Sequence, residues 1–408
     1  GENILEEPLN EKSEELKNKK SHNKLFKVIG LILAFLITVS ASGITAILIY
    51  KSKNPSFSAK LSEIDDLARK YYSGEIDDDV LEDYLAAAYI KALDDKYGFY
   101  RNTEDAVAVE NSFEGNTSGI GVTVFNDTNN NSLTVIRVDE ASPAYKAGIK
   151  KGDKIIAIDG KTVEETGFEE SVKSITREIG KTAKITLIRD KKTVETEVTY
   201  EDFVRQTVYY EVIDNYGYVV ITAFNKATVT QFKETYNDLL GKNIKGFIFD
   251  VRDNGGGTVD SSCEILDMLV GECDLITIKY ADGSKKVSNK SDANKCDLPM
   301  VVLTNGDTAS AAELFAATLR DMAKSPLIGN TTYGKGVVQR TYFLSDNSCI
   351  RFTVGEFFPA GGEGFNAKGL TPDYEVKYTK EQLASKYTLG AEDPYIQKAV
   401  EVLDNSVK

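Results

Sequence analysis

Hydrophobic and polar positions fall into four textures along the 408 residues. From Phe26 to Tyr50 the run FKVIGLILAFLITVSASGITAILIY holds one charge, Lys27 near its start, and more than twenty uncharged residues follow it. That is long and apolar enough to cross a bilayer as a helix. Residues 55–110, including LSEIDDLARKYYSGEIDDDVLEDYLAAAYIKALDDKYGFY, repeat apolar positions every three or four residues, which predicts an amphipathic helical region. Over 111–200 short β-branched runs alternate with glycine turns (SGIGVTV, LTVIRV, GDKIIAIDG, AKITLIRD), predicting a small strand-rich domain. Over 201–408 apolar strands such as GFIFDV and MVVLTN run through tight turns into helices, the pattern of an α/β layer.

Charge orients the first texture. Lys17, Lys19, Lys20, Lys24 and Lys27 crowd against the apolar run, whereas the acids before it stop at Glu15. The positive-inside rule then makes 1–25 a cytoplasmic tail, 26–50 a single membrane anchor, and everything after Lys51 extracytoplasmic. The segment VSAS offers a signal-peptide cleavage site, but the long leading region and the length of the span favour an uncleaved anchor. A net charge of −14 with no compensating basic stripe argues against nucleic acid as a partner.

Two residue counts narrow the chemistry. Cys263, Cys273, Cys296 and Cys349 lie too far apart for a C-x-x-C site and are too sparse for a disulfide framework, so they are expected to be core thiols, with a single bridge as the alternative. The one histidine, His22, precedes the anchor. Any enzyme downstream must work without imidazole, which excludes serine–histidine, cysteine–histidine and zinc-histidine chemistry together.

The stretch GNTTYGKG, Gly329 to Gly336, comes within one letter of the phosphate-binding pattern G-x-x-x-x-G-K-[ST]. Gly336 stands where a magnesium-binding hydroxyl is needed, and VVQRTYF after it reads as a strand, although a phosphate loop must open a helix. Nucleotide binding is therefore rejected. Lys335 remains to be explained. A surface turn is the usual place for a lysine, but a buried lysine loses its proton more easily and can serve as a base where histidine is missing. Lys335 and Gln339 share strand parity, so Gln339 is placed to hold the amine.

A serine suited to such a base follows the strand MVVLTN. Ser310 begins the helix AAELFAATLRD, and Ser310-Ala311-Ala312-Glu313 fits a capping box, which alone would account for it. A nucleophile would also be mounted there, on a sharp strand-to-helix turn with the next N–H as oxyanion donor. The earlier turn in KGFIFDVRDNGGGTVD can aim further N–H groups at one spot. Asp307-Thr308-Ala309 approximates the D-T-G of aspartic proteases, but no second copy exists to form the carboxylate pair.

Ser142 to Gly160 resembles the corresponding segment of PDZ domains (S-P-A…A-G-[IL]-x-x-G-D-x-I-x-x-[IV]-[DN]-G), and Gly119-Ile120-Gly121-Val122 resembles their carboxylate-binding loop. In such a domain a peptide tail adds as a strand to the sheet edge. The segments DVRDNGGG, TASAAE, YGKGVVQ and GLTPD (Gly369 to Asp373), in this order, resemble the carboxyl-terminal processing peptidases, or tail-specific proteases. The resemblance runs from near Ser62 to the DPYIQKAVEVL helix. It implies an α/β fold, a crotonase-like spiral protease core with an inserted PDZ domain, and an enzyme needing no metal or cofactor. Position by position it implies Ser310 as nucleophile, Lys335 as general base, Gln339 as its orienting partner, and the N–H groups of Gly256 and Ala311 as oxyanion hole. Gly255 departs from the family, where proline or serine is common, and leaves open which of Gly255 and Gly256 presents the donor. Substrates would be proteins recognised by their C-terminal tails, and some members form homodimers through terminal regions. Arg177 is the candidate link between PDZ and peptidase domains. Two other readings share parts of the pattern: an inactive membrane-tethered PDZ adaptor, and crotonase-like acyl-thioester chemistry, which has no use for a PDZ domain.

Overall fold

The computed structural model of the chain describes residues 55–127, 130–175, 178–384 and 389–406. The apolar run 26–50, His22 and Arg177 lie outside the described residues. Among the described residues no helix is long and apolar enough to cross a membrane. The chain divides into two compact units, 1–82 and 83–408. In the first, helix α1 (Pro55–Tyr71) closes on Arg69, which pairs with Asp65 one turn earlier at 2.9 Å and with Asp78 at 2.5 Å. Helix α2 (Asp78–Ala92) begins in this unit and continues into the second, with Asp78 and Asp79 in its first turn, where the helix dipole favours acids.

The second unit holds all nineteen described strands. After β1 (Phe99–Arg101) and α3 (Thr103–Glu114), the chain makes β2 (Asn116–Gly119), β3 (Val122–Asp127) and β4 (Ser132–Val138). The short helix α4 (Pro143–Lys146), strands β5 (Lys154–Ile158) and β6 (Lys161–Thr162), helix α5 (Val163–Ile175), and strands β7 (Thr182–Arg189) and β8 (Lys192–Thr199) complete that sheet. Its order is β3-β4-β5-β7-β8 with β6 beside β5. Leu133, Ile155, Ile185 and Leu187 form its closed core, as the period-2 pattern requires. Strand β9 (Glu201–Val204) returns to pair with β2 and leads the chain into the second, larger sheet region.

There, β10 (Val208–Ile213) pairs antiparallel with β11 (Tyr216–Ile221). Helix α6 (Lys226–Gly241), strand β12 (Phe247–Asp250), helix α7 (Val259–Asp267), strands β13 (Cys273–Tyr280), β14 (Lys285–Ser291) and β15 (Met300–Thr304), helix α8 (Ala311–Ala323) and strand β16 (Leu327–Gly329) follow. Then come β17 (Val337–Phe343), β18 (Cys349–Pro359), β19 (Tyr374–Glu375), α9 (Lys380–Ala384) and the last helix α10 (Pro394–Ser406). One sheet runs β10-β11-β12-β15-β16-β19, parallel from β11 onward. The residues of β11, β12 and β15 are buried throughout, which explains their unbroken apolar runs: parallel strands are covered on both faces. Phe232 of α6, Cys263 of α7 and Phe315 of α8 pack into one of the sheet's two cores, and Tyr395, Ala399 and Leu403 of α10 into the other. Phe315 meets Phe249 of β12 edge to face at 5.6 Å, fixing α8 over the strand that ends in Asp250. Truncating such a buried ring costs about 3–5 kcal/mol. A second, antiparallel sheet is ordered β1-β18-β13-β14, with β17 also on β18. All four cysteines are unpaired, Cys263 and Cys349 fully buried.

Candidate active site

Ser310 sits where β15 turns into α8, with only 8% of its surface exposed. Two bonds set the turn: the Thr308 hydroxyl donates to Val251 O at 2.8 Å, and Ala309 N donates to Asn254 O at 2.9 Å. Both tie it to the loop that follows β12. The backbone of Ser310 has φ 58° and ψ −118°. A helix-capping serine is normally extended. A side-chain-bearing residue forced into positive φ costs about 1–3 kcal/mol and persists only where its surroundings impose it. Capping alone therefore does not account for this serine. The same bend exposes a nucleophile at the head of a helix.

The glycine loop closes over the serine. A Cβ on Gly256 (φ 102°) would lie 2.9 Å from Ser310 Cβ, 2.8 Å from Ala309 O and 3.0 Å from Ala311 N, so only glycine fits. Gly256 and Ala311, the two expected oxyanion donors, thus flank Ser310. Their N–H groups differ. Ala311 N–H has no partner among the described hydrogen bonds, as expected at the start of a helix. Gly256 N–H donates to the buried side chain of Asn254 at 2.8 Å, and Asn254 Nδ2 in turn donates to Ile221 O at 2.8 Å.

The third segment answers the lysine question in part. The GNTTYGKG loop runs tightly against residues 366–369. A Cβ on Gly334 (φ 87°) would fall 2.8 Å from Gly369 N, and one on Gly336 would fall 2.8 Å from Asn366 Cβ. The glycines either side of Lys335 are thus required by close backbone approach. What joins this loop to the serine is Glu313, the third residue of α8, fully buried. Its Oε1 accepts from the Thr332 hydroxyl at 2.5 Å and Gly334 N at 2.7 Å. Its Oε2 accepts from Ser310 N at 2.9 Å and Lys335 N at 2.8 Å.

Lys335 itself is half-buried, and its Nζ rests 4.2 Å from the centre of the Tyr97 ring, with no hydrogen bond among those described. Burial pushes its amine below the ordinary lysine range; Arg351 and Lys96 add to this, while Tyr333 and Asp95 oppose it. Gln339 lies on β17, where its Nε2 donates to Val337 O at 3.2 Å and to the Thr353 hydroxyl at 3.3 Å. A bulge between Val338 and Gln339 breaks the alternation from which a shared face with Lys335 was expected.

Two features outside this cluster, the Asp250–Arg252 pair and Asp139, escaped the sequence reading. Asp250 and Arg252 form a buried pair (2.6 Å); Arg252 also reaches Asp393 at 2.9 Å, and Tyr218 donates to Asp250 at 2.6 Å. Burial alone would raise the Asp250 carboxyl, but the guanidinium beside it holds it below its usual range. Beside the β3–β8 sheet, Gly119, Ile120, Gly121 and Val122, the expected carboxylate loop, all line a groove of about 200 Å³, together with Ile175 of α5 and Phe203. Gly121 takes φ 76° there, and a Cβ on it would land 2.0 Å from that of Ser142, so only glycine fits. Asp139 also lines this groove; its N–H donates to Gly121 O at 3.0 Å, and its carboxylate accepts from Tyr209 of β10 at 2.7 Å.

Residues 215–376 match Peptidase family S41, and residues 118–200 match the PDZ domain. The chain is 32% identical over 365 residues to the carboxy-terminal processing protease CtpA of Bacillus subtilis, covering 88% of this chain and 78% of that protein. It is 26% identical to a CtpA-like serine protease of Staphylococcus haemolyticus over 95% of this chain and 81% of the relative. An S41 protease structure from Bacteroides fragilis shares the fold, with a TM-score of 0.59 at 19% identity over 84% of this chain and 97% of that one. The chain belongs to peptidase family S41: it is a serine peptidase of the carboxy-terminal processing kind, a mixed α/β fold carrying a PDZ domain.

Proposed function

We propose that this chain is a membrane-anchored endopeptidase that cuts protein substrates near their C-termini with Ser310 as nucleophile and Lys335 as general base. The observation that carries the reading is the backbone of Ser310: a serine bent to φ 58° at a helix start, beside an Ala311 N–H with no partner among the described hydrogen bonds and a glycine that nothing larger could replace. Neutral Lys335 takes the Ser310 proton as Oγ bonds to the scissile carbonyl carbon. The developing oxyanion is met by Ala311 N–H, and by Gly256 N–H once it leaves Asn254. The C–N bond then breaks as Lys335 returns the proton to the departing amine, and water, activated by the same amine, releases the acyl group. Lys335 must swing from the Tyr97 ring for this, with Gln339 as its guide.

The PDZ groove, with Gly119 to Val122 as carboxylate loop, would hold the substrate tail. Residues 26–50 would tether the body outside the cytoplasm, with the N-terminus inside. Exposed Ile64, Leu67 and Tyr71 on α1 suit pairing of two copies through the terminal regions. A serine-reactive acylating probe tests the core of the reading. Labelling of the full chain that vanishes in Ser310→Ala, with cleavage of tail peptides lost alongside, is the expected result; a folded sample that neither labels nor cleaves would instead be a PDZ adaptor.

A further inference from the structure

Lys335 is fixed at its backbone but carries its amine on a four-carbon stem, so something else must decide where Nζ sits and how wet it is. The group in contact is Tyr97, in the turn between α2 and β1, within the stretch whose spacing predicts a helical arm. That turn is pinned to β18. The Asp95 carboxylate accepts from Tyr97 N at 3.0 Å, from Thr353 N at 2.5 Å and from the Thr353 hydroxyl at 3.0 Å. Thr353 also accepts from Gln339, so the proposed guide of the base and the turn under its amine share one hydroxyl.

The contact is reciprocal. Lys335 Nζ lies over the Tyr97 ring at 4.2 Å, while the neighbour of Tyr97, Lys96, lies 5.0 Å over the ring of Tyr333 in the lysine's own loop. Lys96 Nζ also donates to the Tyr333 hydroxyl at 2.5 Å. Two segments remote in sequence thus exchange a lysine and a tyrosine each. A face-on ring attracts an ammonium and at the same time takes the place of the water that would hydrate it.

We propose that Tyr97 is a positioning residue for the base, its ring roofing the Lys335 amine so that water is excluded and the swing of Nζ is confined. This rests on the reading of Lys335 as base. The charged and titratable groups facing the amine are Arg351 from β18, Tyr333 and Lys96 from the clasp, and Asp95 and Tyr97 from the turn. Of these, Tyr97 is the one in ring contact with it. Opening the roof rehydrates the amine and favours its charged, inactive form.

The test is the pH profile of kcat/KM for tail-peptide cleavage by the full chain, because the position of its rising limb does not depend on how much enzyme is folded. Tyr97→Ala is expected to move the limb up by about one pH unit, a loss of about tenfold at pH 7 that disappears on the alkaline plateau. Tyr97→Phe keeps the ring and is expected to leave the limb within about 0.3 units of wild type. A limb that stays put in Tyr97→Ala, with or without a uniform fall in rate, overturns the proposal, as does a faster enzyme. Lys335→Arg in the same assay separates the two levels. If it is inactive while the Tyr97→Ala limb is unmoved, the roof alone is wrong; if it is active, the assignment of the base is wrong.

Discussion

The backbone N–H groups of Ser310 and Lys335 donate to one and the same oxygen, Oε2 of Glu313, at 2.9 and 2.8 Å. Residues 25 positions apart are thereby held at a fixed spacing by a carboxylate that makes four hydrogen bonds and is shut from solvent. Every donor around Glu313 points inward, and an ionised carboxylate, which only accepts, is the side chain that suits such a site.

Glu313→Gln tests this. The variant is nearly isosteric, yet its amide nitrogen must face two donors wherever it is placed. A loss of about 2–4 kcal/mol of stability is expected, together with at least about a hundredfold fall in kcat from a misplaced pair. Urea unfolding and steady-state kinetics on the same preparation check both. Near-normal kcat in Glu313→Gln would show that the shared oxygen does not set the geometry.

Strain at Ser310 makes an opposite prediction for stability. Replacing it by glycine relieves the positive φ, while alanine keeps the Cβ that causes it. Both remove the hydroxyl and abolish turnover. Ser310→Gly is expected to melt higher than Ser310→Ala by about 2–4 °C, the equivalent of about 1 kcal/mol, in a differential scanning measurement of the two proteins. Equal melting temperatures would mean the bend is not strained.

Lys335 supplies the pH dependence. Catalysis by this route needs the neutral amine, and burial pushes the folded-state value below that of an ordinary lysine. The rate should therefore rise with pH and level off earlier than an exposed lysine would allow. Linkage has the same sign: between the depressed folded value and the ordinary unfolded one the unfolded chain binds more protons, so the contribution of Lys335 to stability grows with pH across that window. Lys335→Arg keeps the charge but cannot deprotonate, and turnover should fall by about a thousandfold or more. A stopped assay across pH 6–10 with both proteins reads this directly.

The legible and illegible parts of this molecule separate by the range of the interaction. Strand and helix textures are local, and the apolar runs of β11, β12 and β15, the turn before Ser310 and the S-x-x-E spacing were all readable from neighbouring residues. The need for glycine at 334 and 336 was visible as freedom, but its cause, the backbone of Asn366 to Gly369 pressing against that loop, is long-range. Glu313 could be read as one half of a capping box; its larger role depends on Thr332 and Gly334 arriving from another segment. Tyr97 gave no signal in a tyrosine-rich helical stretch, because what distinguishes it is a lysine 238 positions later. The parity argument for Gln339 failed to foresee a bulge, which no short-range pattern in VVQRTYF announces.

The remaining prediction concerns how occupancy of the PDZ groove would reach the peptidase. Asp139 borders the PDZ groove, holds Gly121 through its N–H, and receives the hydroxyl of Tyr209 at 2.7 Å. Tyr209 in turn lines a separate cleft of about 570 Å³ between the PDZ domain and the peptidase sheet, shared with Arg252 and Asp253 at the head of the glycine loop. This one hydrogen bond therefore joins the groove to the strand layer that carries the glycine loop. Burial raises the Asp139 carboxyl against the pull of Tyr209 and Arg205. A raised folded value means its contribution to stability is present at low pH and is lost as pH rises through that value, while the bond from Tyr209 favours the ionised carboxylate and offsets part of that loss. Tyr209→Phe removes the bond and leaves the ring. If the bond transmits occupancy, cleavage of a peptide bearing a C-terminal tail recognised by the groove should fall about three- to tenfold, the size of a coupling of about 1 kcal/mol. Cleavage of the same peptide with its terminal carboxylate amidated should stay unchanged. Equal losses on both peptides would mean that Tyr209 supports the fold and carries no signal from the groove.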